Sequence, residues 1–268
     1  MTMTEITSLQ NPRVKNARRL RHGRHRQRQG RILIDGAGEL ARAIRAGANL
    51  REVFVCERLC TGDEERALLE MLPQSDAEII QVSKPVFEKL AFGHRAEGVL
   101  GVAETPRQML NDLLLPQNPL VAVLEGVQKP GNIGAVLRSA DAAGVSAVIA
   151  ADAGTDLYNP NAIRASLGAI FTVPICAADT AEILDWLRRH ELAVLAARTD
   201  GSVAYTEIDY RRPTAIVLGS EAEGLSDAWQ GENLTAVRLP MLGAADSLNV
   251  SVTAAVLFYE ALRQRQTE

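Results

Sequence analysis

The first half of the chain alternates short apolar runs, which predict strands, with segments of helical periodicity. After residue 31, strands are predicted at 32–34, 52–56, 78–82 and 98–103, and helices at 39–46, 64–72 and 85–91. An alternating unit of this size can bury a core of its own. We therefore predict a small α/β domain at 32–104.

The second half begins at 120–124 with a continuous apolar run of the kind that lies buried in a parallel sheet. Further strands are predicted at 147–150, 172–175, 193–197, 215–218 and 236–239, and helices at 134–143, 161–167, 181–190 and 248–263. This alternation predicts a parallel α/β sheet that binds ligands at the carboxyl ends of its strands. Three prolines between the halves predict a linker at 105–119, followed by a second domain at 120–268.

Charge is distributed unevenly along the 268 residues. The net charge of −4 argues against a nucleic-acid partner, because cations that neutralise phosphates supply most of such affinity. Residues 1–34, however, carry a local charge of +8, so the remainder carries −12. We predict a basic N-terminal arm at 1–31 that contacts nucleic acid, with a solvated helix face or a transit peptide as alternatives. Its cations, opposed by Glu5 alone, are Arg13, Lys15, Arg18, Arg19, Arg21, Arg24, Arg26, Arg28 and Arg31.

The three cysteines, Cys56, Cys60 and Cys176, are odd in number and show no C-x-x-C spacing, so free thiols and a reducing compartment are expected. No metal site is expected, because the histidines show no matching ligand spacing. No apolar run approaches the length of a membrane span, and no signal-peptide core follows the start. A cytoplasmic protein is therefore expected.

The loop after the first strand of the second half is rich in glycine. Gly126 and Gly131 have the spacing of a phosphate loop, but Asn132 and Ile133 stand where Lys and Ser or Thr would be required. A dinucleotide-binding fingerprint fails as well. What remains is a turn into a helix, with Asn132 near the cap and Arg138 further along. Plain turn chemistry is the alternative.

Two more polar loops follow later strands. Residues 218–225 include Glu221 and Glu223 in a glycine-rich loop, too close in sequence for a pair of glycosidase carboxylates. Residues 239–253 include Ser247 and Asn249, either of which can cap the closing helix. Three polar loops at one edge of a sheet predict a functional site there.

These loops contain the motifs Asn132-x-Gly134-x-x-x-Arg138, Gly219-Ser-Glu221-x-x-Gly224-Leu225, and Leu239-Pro-Met241 with Ser247-Leu-Asn-Val-Ser251. As an ordered set they resemble the motifs of the SpoU, or TrmH, family of RNA ribose methyltransferases. The first half is similar to the family's small substrate-binding domain, notably at Ile34-Asp-Gly36 and Arg95-Ala-Glu-Gly-Val99. The resemblance implies a SPOUT fold with a deep trefoil knot, preceded by a small α/β domain that resembles a ribosomal protein.

The resemblance also implies a function, an S-adenosylmethionine-dependent RNA 2′-O-ribose methyltransferase, and a homodimer whose site is completed across the interface. If the family's motif residues have the same roles here, the cofactor would be bound by Thr199, Gly219, Leu239, Met241 and Leu248. The catalytic set would be Asn132, Arg138, Glu221, Ser247 and Asn249.

Two questions stay open at this stage. The arginine that matches Arg138 is often proposed to act as a base in the family. A guanidinium is protonated at ordinary pH, however, and is better suited to clamp a phosphate or an oxyanion. RNA is the expected partner because the reaction needs a ribose 2′-hydroxyl, and the two-domain layout favours ribosomal RNA by analogy. Transfer RNA, a non-catalytic RNA-binding or ribosome-assembly role, and an antibiotic-resistance role remain alternatives. The expected RNA contacts are Arg18, Arg19, Arg21, Arg24 and Arg95.

Overall fold

The computed structural model describes residues 4–92, 97–152, 156–231 and 233–266. In chain order, the strands of these residues are β1 (Thr4–Ile6), β2 (Arg31–Asp35), β3 (Leu50–Val55), β4 (Glu78–Val82), β5 (Val99–Glu104), β6 (Leu120–Glu125), β7 (Ala147–Ala151), β8 (Ile175–Ala178), β9 (Ala193–Ala197), β10 (Val203–Ala204), β11 (Thr214–Leu218) and β12 (Leu234–Arg238). The α-helices are α1 (Pro12–Arg19), α2 (Gly23–Gln29), α3 (Ala37–Arg45), α4 (Asp63–Met71), α5 (Lys84–Leu90), α6 (Pro130–Ala143), α7 (Pro160–Ala165), α8 (Thr180–Arg189) and α9 (Val250–Arg265).

The chain folds as two compact units. The first combines Met1–Pro106 with Asp156–Thr172, and the second combines Arg107–Thr155 with Val173–Glu268. These boundaries differ from the predicted ones, because the segment Asp156–Thr172 lies in the sequence of the second domain but packs with the first unit. Its helix α7 contacts strand β2.

The first unit is built on a five-stranded sheet in the order β1-β4-β3-β5-β2. The strand β5 runs antiparallel to both of its neighbours, whereas β1, β3 and β4 pair in parallel. Buried side chains on α1 and α5 pack with those of the central strands into one core.

The predicted basic arm is part of this unit. Strand β1 pairs with β4, and the helix α1 buries Val14 and Ala17 just before the buried Leu20. Three apolar residues at a spacing of three are enough to attach a short helix to the core. The segment 1–31 is therefore not separate from the small domain, as was predicted, but part of its sheet and core. Several of its cations remain exposed.

The second unit contains a seven-stranded sheet in the order β10-β12-β9-β11-β6-β7-β8, in which every neighbouring pair is parallel. The parallel α/β prediction is confirmed. Strand β8 begins at Ile175, later than the predicted 172–175, because a 3-10 turn occupies Ala169–Phe171. Two residues of the predicted linker, Leu110 and Leu113, are buried in this unit's core.

The strand order reverses between β6 and β11. From β6 the chain proceeds to β7 and β8 on one side, whereas β11, β9 and β12 lie on the other. Ligands of open parallel sheets bind beyond the carboxyl ends of the strands at such a switch point. The loops after β6, β9, β11 and β12 are therefore where a site is expected. Among the described helices, none is both long and apolar enough to cross a membrane.

Candidate active site

The loop after β11 is a tight turn whose two ends touch. Gly224 has a φ of +68° and donates its N–H to the Ser220 carbonyl at 3.0 Å. A Cβ on Gly219 would come within 2.6 Å of the Leu225 nitrogen and closer still to the Gly224 carbonyl group, so only glycine fits this position. The turn holds Glu221 at the carboxyl edge of the sheet.

A second carboxylate, Glu125 at the end of β6, holds the far side of the same turn. It is 8% exposed, and its two oxygens accept from the Ser226 N–H and the Ser226 hydroxyl, each at 2.7 Å. Both partners satisfy a carboxylate that burial would otherwise penalise. The loops after β6 and β11 are thereby fixed to one another, across the switch point.

Glu221 is the centre of a hydrogen-bonded cluster drawn from three loops. Its Oε1 accepts from Asn132 Nδ2 at 3.1 Å and from Asn249 Nδ2, and its Oε2 accepts from Lys129 Nζ at 2.6 Å. Asn249 Nδ2 also lies 3.4 Å from Asn132 Oδ1. Three of the predicted catalytic residues, Asn132, Glu221 and Asn249, are therefore in direct contact.

The hydrogen bond from Lys129, together with those from the two asparagines, lowers the pKa of Glu221 below its ordinary value. The carboxylate is consequently ionised at neutral pH and can orient both amide groups. Asn249 also caps helix α9, since its Oδ1 accepts from the Ser251 N–H at 2.9 Å and the Ser251 hydroxyl at 2.6 Å. Asn249 therefore caps the helix with its side-chain oxygen and contacts Glu221 with its side-chain nitrogen.

Arg138 and Ser247 occupy different places. Arg138 is exposed on α6, the helix whose first turn contains Asn132, and does not join the hydrogen bonds that link the described members of the cluster. Ser247 is exposed in the loop before α9 and lines the adjoining cavity.

This cavity, about 490 Å³ in volume, lies at the ends of β9, β11 and β12. Its size suits a cofactor-sized ligand. All five residues predicted to bind the cofactor, Thr199, Gly219, Leu239, Met241 and Leu248, line it together. The loop before α9 and the glycine turn after β11 thus form parts of one pocket.

The lining combines apolar side chains with several acids. The apolar surface comes from Leu218, Leu225, Val237, Leu239, Met241, Leu248 and Val250, and the charged residues are Arg198, Asp200, Glu221, Glu223 and Asp246. One cation and four carboxylates favour a ligand with net positive charge, and the apolar surface suits a planar ring.

Sequence reasoning assigned no role to Lys129, Glu125, Ser251 and Arg198. Lys129 directly precedes the proline that begins α6, so its position in the first polar loop could have indicated a partner for one of the acidic residues of the second loop. Glu125 was hidden because it ends an apolar strand, and nothing in the spacing pairs it with Ser226, which lies 101 residues later.

The predicted RNA contacts divide into three groups. Arg18, Arg19 and Arg24 are exposed. Arg21 is half-buried, and its Nη2 donates to the carbonyls of Lys89, Leu90 and Ala91 at the end of α5. It therefore caps the carboxyl end of α5. Arg95 lies outside the described residues.

Both halves of the chain match known protein families. Residues 119–259 match the SpoU rRNA Methylase family, and residues 11–101 match an MRM3-like substrate binding domain. A 23S rRNA (uridine(2479)-2′-O)-methyltransferase of Streptomyces viridochromogenes is 31% identical over 90% of this chain and 85% of its own length.

Solved structures agree. A crystal structure of an RNA 2′-O ribose methyltransferase is 43% identical, covers 98% of this chain and 100% of that chain, and has a TM-score of 0.86. The SpoU methyltransferase AviRb from Streptomyces viridochromogenes, in complex with the cofactor AdoMet, is 27% identical, covers 96% and 99%, and has a TM-score of 0.87. The chain therefore belongs to the SpoU rRNA methylase family.

Proposed function

We propose that the protein transfers a methyl group from S-adenosylmethionine to a ribose 2′-hydroxyl of ribosomal RNA. The observation that carries the proposal is the cluster of Asn132, Glu221 and Asn249, assembled from three loops directly beside the cavity in a chain of this family. The 23S rRNA methyltransferase relative supports ribosomal RNA, because its similarity extends over nearly the whole chain rather than over one domain.

The cavity fits the cofactor. S-adenosylmethionine has an adenine ring and a net positive charge, which match the apolar lining and the excess of carboxylates. When bound, the cofactor supplies an electrophilic methyl group on a sulfonium. We place its binding at Thr199, Gly219, Leu239, Met241 and Leu248, which share the cavity.

The protein's own contribution is alignment and charge. The in-line displacement requires the 2′-oxygen to be held opposite the methyl group, and positioning of this kind supplies much of the rate enhancement of transfer reactions. Asn132 and Asn249 present amide groups fixed by Glu221, so they are suited to orient the ribose. Ser247, which lines the cavity nearby, is proposed to assist them.

We assign Arg138 to the clamp rather than the base. Its guanidinium is exposed on α6, six residues after Asn132, and is free of the Glu221 hydrogen bonds that link described residues. A planar, permanently charged group is suited to bind a phosphate or the developing alkoxide and is a poor proton acceptor.

RNA contact is proposed for the exposed cations of α1 and α2, namely Lys15, Arg18, Arg19, Arg24 and Arg28, here called the exposed basic set. Partial desolvation and the neighbouring Arg24, Arg19 and Arg28 lower the pKa of His25, as expected where positive charge is concentrated. Arg13 and Arg26 are excluded from the set, because Arg13 pairs with Glu78 and Arg26 is buried against Asp156. The small domain at 32–104, together with the helices α1 and α2, is proposed to select the substrate.

A homodimer is proposed from the outer face of α9. Val252 and Tyr259 are 47% and 51% exposed and lie seven residues apart on the same face of the helix, opposite the buried Ala254 and Leu257. The resemblance to a dimeric family favours a second copy of the chain as the occupant of this face. Tyr259→Glu should then yield monomers in sedimentation velocity, and an unchanged sedimentation coefficient would refute this assignment. The trefoil knot and the cytoplasmic location stay predictions.

The experiment that tests the function uses S-adenosylmethionine labelled in its methyl group. The protein is incubated with separate pools of unmodified ribosomal RNA and transfer RNA, and the labelled ribose is mapped. We expect label in one 2′-O-methylated nucleotide of ribosomal RNA. Label in transfer RNA alone would replace the substrate, and cofactor binding without transfer to either pool would favour a non-catalytic RNA-binding role.

A further inference from the structure

The corner between helices α1 and α2 belongs to a segment that carries positive charge and no acid of its own. Residues 6–34 contain neither Asp nor Glu, and five of their cations form the exposed basic set. Such a surface attracts the phosphates of any nucleic acid, single- or double-stranded. Charge alone therefore does not select one form of RNA, and the selection depends on the other side chains of the corner.

The corner is braced from the inside. Leu20, which follows α1, is buried, and its carbonyl accepts from Arg26 Nη1 at 2.6 Å. Arg26 Nε also donates to Asp156 at 2.6 Å, and Arg21 Nη2 donates to two carbonyls at the end of α5 at 3.0 and 2.9 Å. These contacts fix the backbone of residues 20–26. The outward side chains are therefore presented on a surface that is organised before any ligand binds, which lowers the cost of binding.

Two histidines belong to this corner. His22 is exposed and His25 is half-buried, and their rings lie edge to face, with centroids 6.4 Å apart and an interplanar angle of 63°. Aromatic rings prefer this arrangement, so the contact with His25 restricts the orientation of the His22 ring. The exposure of His22 leaves its ring accessible to a ligand. The corner thus combines an oriented aromatic ring with the exposed basic set.

The charge of the rings favours stacking over phosphate binding. Partial desolvation and the neighbouring Arg24 and Arg19 lower the pKa of His25, so its ring is largely uncharged at neutral pH and adds little attraction for phosphates. Proteins that bind unpaired nucleotides use flat rings beside cations, because the base stacks on the ring while the cations bind the flanking phosphates. A base within a duplex offers no free face to such a ring.

We propose that the α1–α2 corner binds an unpaired nucleotide of the substrate RNA, with its base stacked on His22 and its flanking phosphates bound by the exposed basic set. This inference rests on the proposed function, because it names the form of RNA that the first unit selects. His25 is a positioning residue that orients the His22 ring. Stacking tolerates any base, so the corner selects an unpaired position and leaves the choice of nucleotide to other contacts.

The test compares three RNA hairpins that differ at one position of the stem. The bulged hairpin carries one unpaired adenosine, the abasic hairpin carries a ribose without a base at that position, and the third hairpin is fully paired. Dissociation constants are measured by fluorescence anisotropy at one salt concentration. The abasic hairpin keeps the extra phosphate, so it separates stacking from charge. The natural protein should bind the bulged hairpin about tenfold more tightly than either of the others.

The variants separate the ring from the cations. His22→Ala should bind the bulged and abasic hairpins equally, whereas His22→Phe, which keeps a flat ring, should retain the preference. His25→Ala should reduce the preference, and Arg24→Gln should weaken all three hairpins by a similar factor, because it removes a phosphate contact. The matched control is His190→Ala, which removes an exposed histidine at the end of α8 and should leave all three constants unchanged. A thermal melt of each variant reports folding.

Equal binding of the bulged and abasic hairpins by the natural protein would overturn the proposal. A folded His22→Ala variant that keeps the preference would overturn it too, as would loss of the preference in His22→Phe, because a ring nitrogen would then make the contact. Tighter binding of the paired hairpin would assign the corner to duplex RNA instead. The proposed function is judged separately, by methyl transfer to ribosomal RNA. Transfer without a preference among the hairpins refutes only this inference, and a preference without transfer refutes only the methyltransferase activity.

Discussion

At the scale of single residues, Glu221 is the carboxylate at which two of the predicted catalytic asparagines meet. It gathers two asparagine amides and a lysine from loops far apart in the sequence. Such exposed polar contacts add little stability, since solvent competes for them. Their convergence at the mouth of a cavity is better explained by the need to hold amide groups in one orientation for a reaction.

Removal of Lys129 should change the pH dependence of methylation. Lys129 is the largest cause of the low pKa of Glu221, so Lys129→Met should raise that pKa. If ionised Glu221 orients the asparagines, the acidic limb of kcat/KM will move to higher pH in the variant, while activity near pH 8 is largely kept. The control is Lys84→Met, which removes a lysine that pairs with Glu88 on α5. An acidic limb that does not move would contradict the role given to Glu221.

Arg138→Ala should abolish methyl transfer, with the dissociation constant of the cofactor changed less than about twofold. Arg138 does not line the cavity, which explains the unaffected binding. Loss of a charge that acts in the transition state typically costs 10²–10³ in kcat. Rapid-quench measurement of a single turnover isolates this step. Near-normal turnover would refute the assignment, and partial rescue by Arg138→Lys would support a clamp, since lysine keeps the charge without the planar fork.

At the scale of elements, strand β2 ends in a carboxylate that the fold keeps away from water. Asp35 is 6% exposed and accepts from the Phe92 N–H, and burial raises its pKa to about 7. Arg21 and Arg164 donate to backbone carbonyls of the same stretch, residues 89–92. Three side chains therefore hold the end of α5 and the residue after Ala91.

This buried acid should make stability depend on pH. The unfolded chain loses the Asp35 proton near pH 4 and the folded chain near pH 7, so the unfolding free energy falls as pH rises through that window. The effect is at most about 4 kcal/mol. Asp35→Asn keeps an acceptor for the Phe92 N–H, and its stability should fall less over the same window. Urea titrations of both proteins at pH 4 to 8 measure the difference, and parallel pH curves would contradict the prediction.

The elements also show what the sequence could predict. Most strands and helices were found because each carries its own periodicity, as β6 and β11 do with their continuous apolar runs. Strand β8 begins later than predicted, and the helices α1 and α2 were not predicted, because tertiary contacts decide the structure at these places. Likewise, the motif residues were identified by type, but the link between Glu125 and Ser226 depends on sheet order, which one sequence does not contain.

At the scale of the whole molecule, the net charge does not show how unevenly the charges are distributed. The chain is acidic overall, yet the exposed basic set gathers five cations within 14 residues of the small unit. Phosphate binding by such a set releases counterions, so affinity for RNA falls steeply with salt.

Arg18→Gln and Arg24→Gln should each reduce the slope of log affinity against log salt by about one, without loss of thermal stability. Arg66→Gln is a matched control, because Arg66 is exposed in the same unit but pairs with Asp63. Fluorescence anisotropy with a fragment of ribosomal RNA measures the slopes between about 50 and 300 mM salt, over which the Debye length falls about 2.5-fold. Equal slopes for all four proteins would mean that the RNA contacts lie elsewhere.

The segment Asp156–Thr172 limits how the two units can be exchanged. It belongs by contact to the first unit, although the sequence that surrounds it builds the second. A fragment that ends at Pro106 would lack α7 and would leave Arg26, 3% exposed, without the carboxylate of Asp156. A buried cation that loses its partner is strongly destabilising. Gene fusions or chimaeras that transplant only the first 106 residues into a relative should therefore fail unless the recipient supplies this segment. The first unit is therefore encoded in two separate pieces of sequence, which must change together.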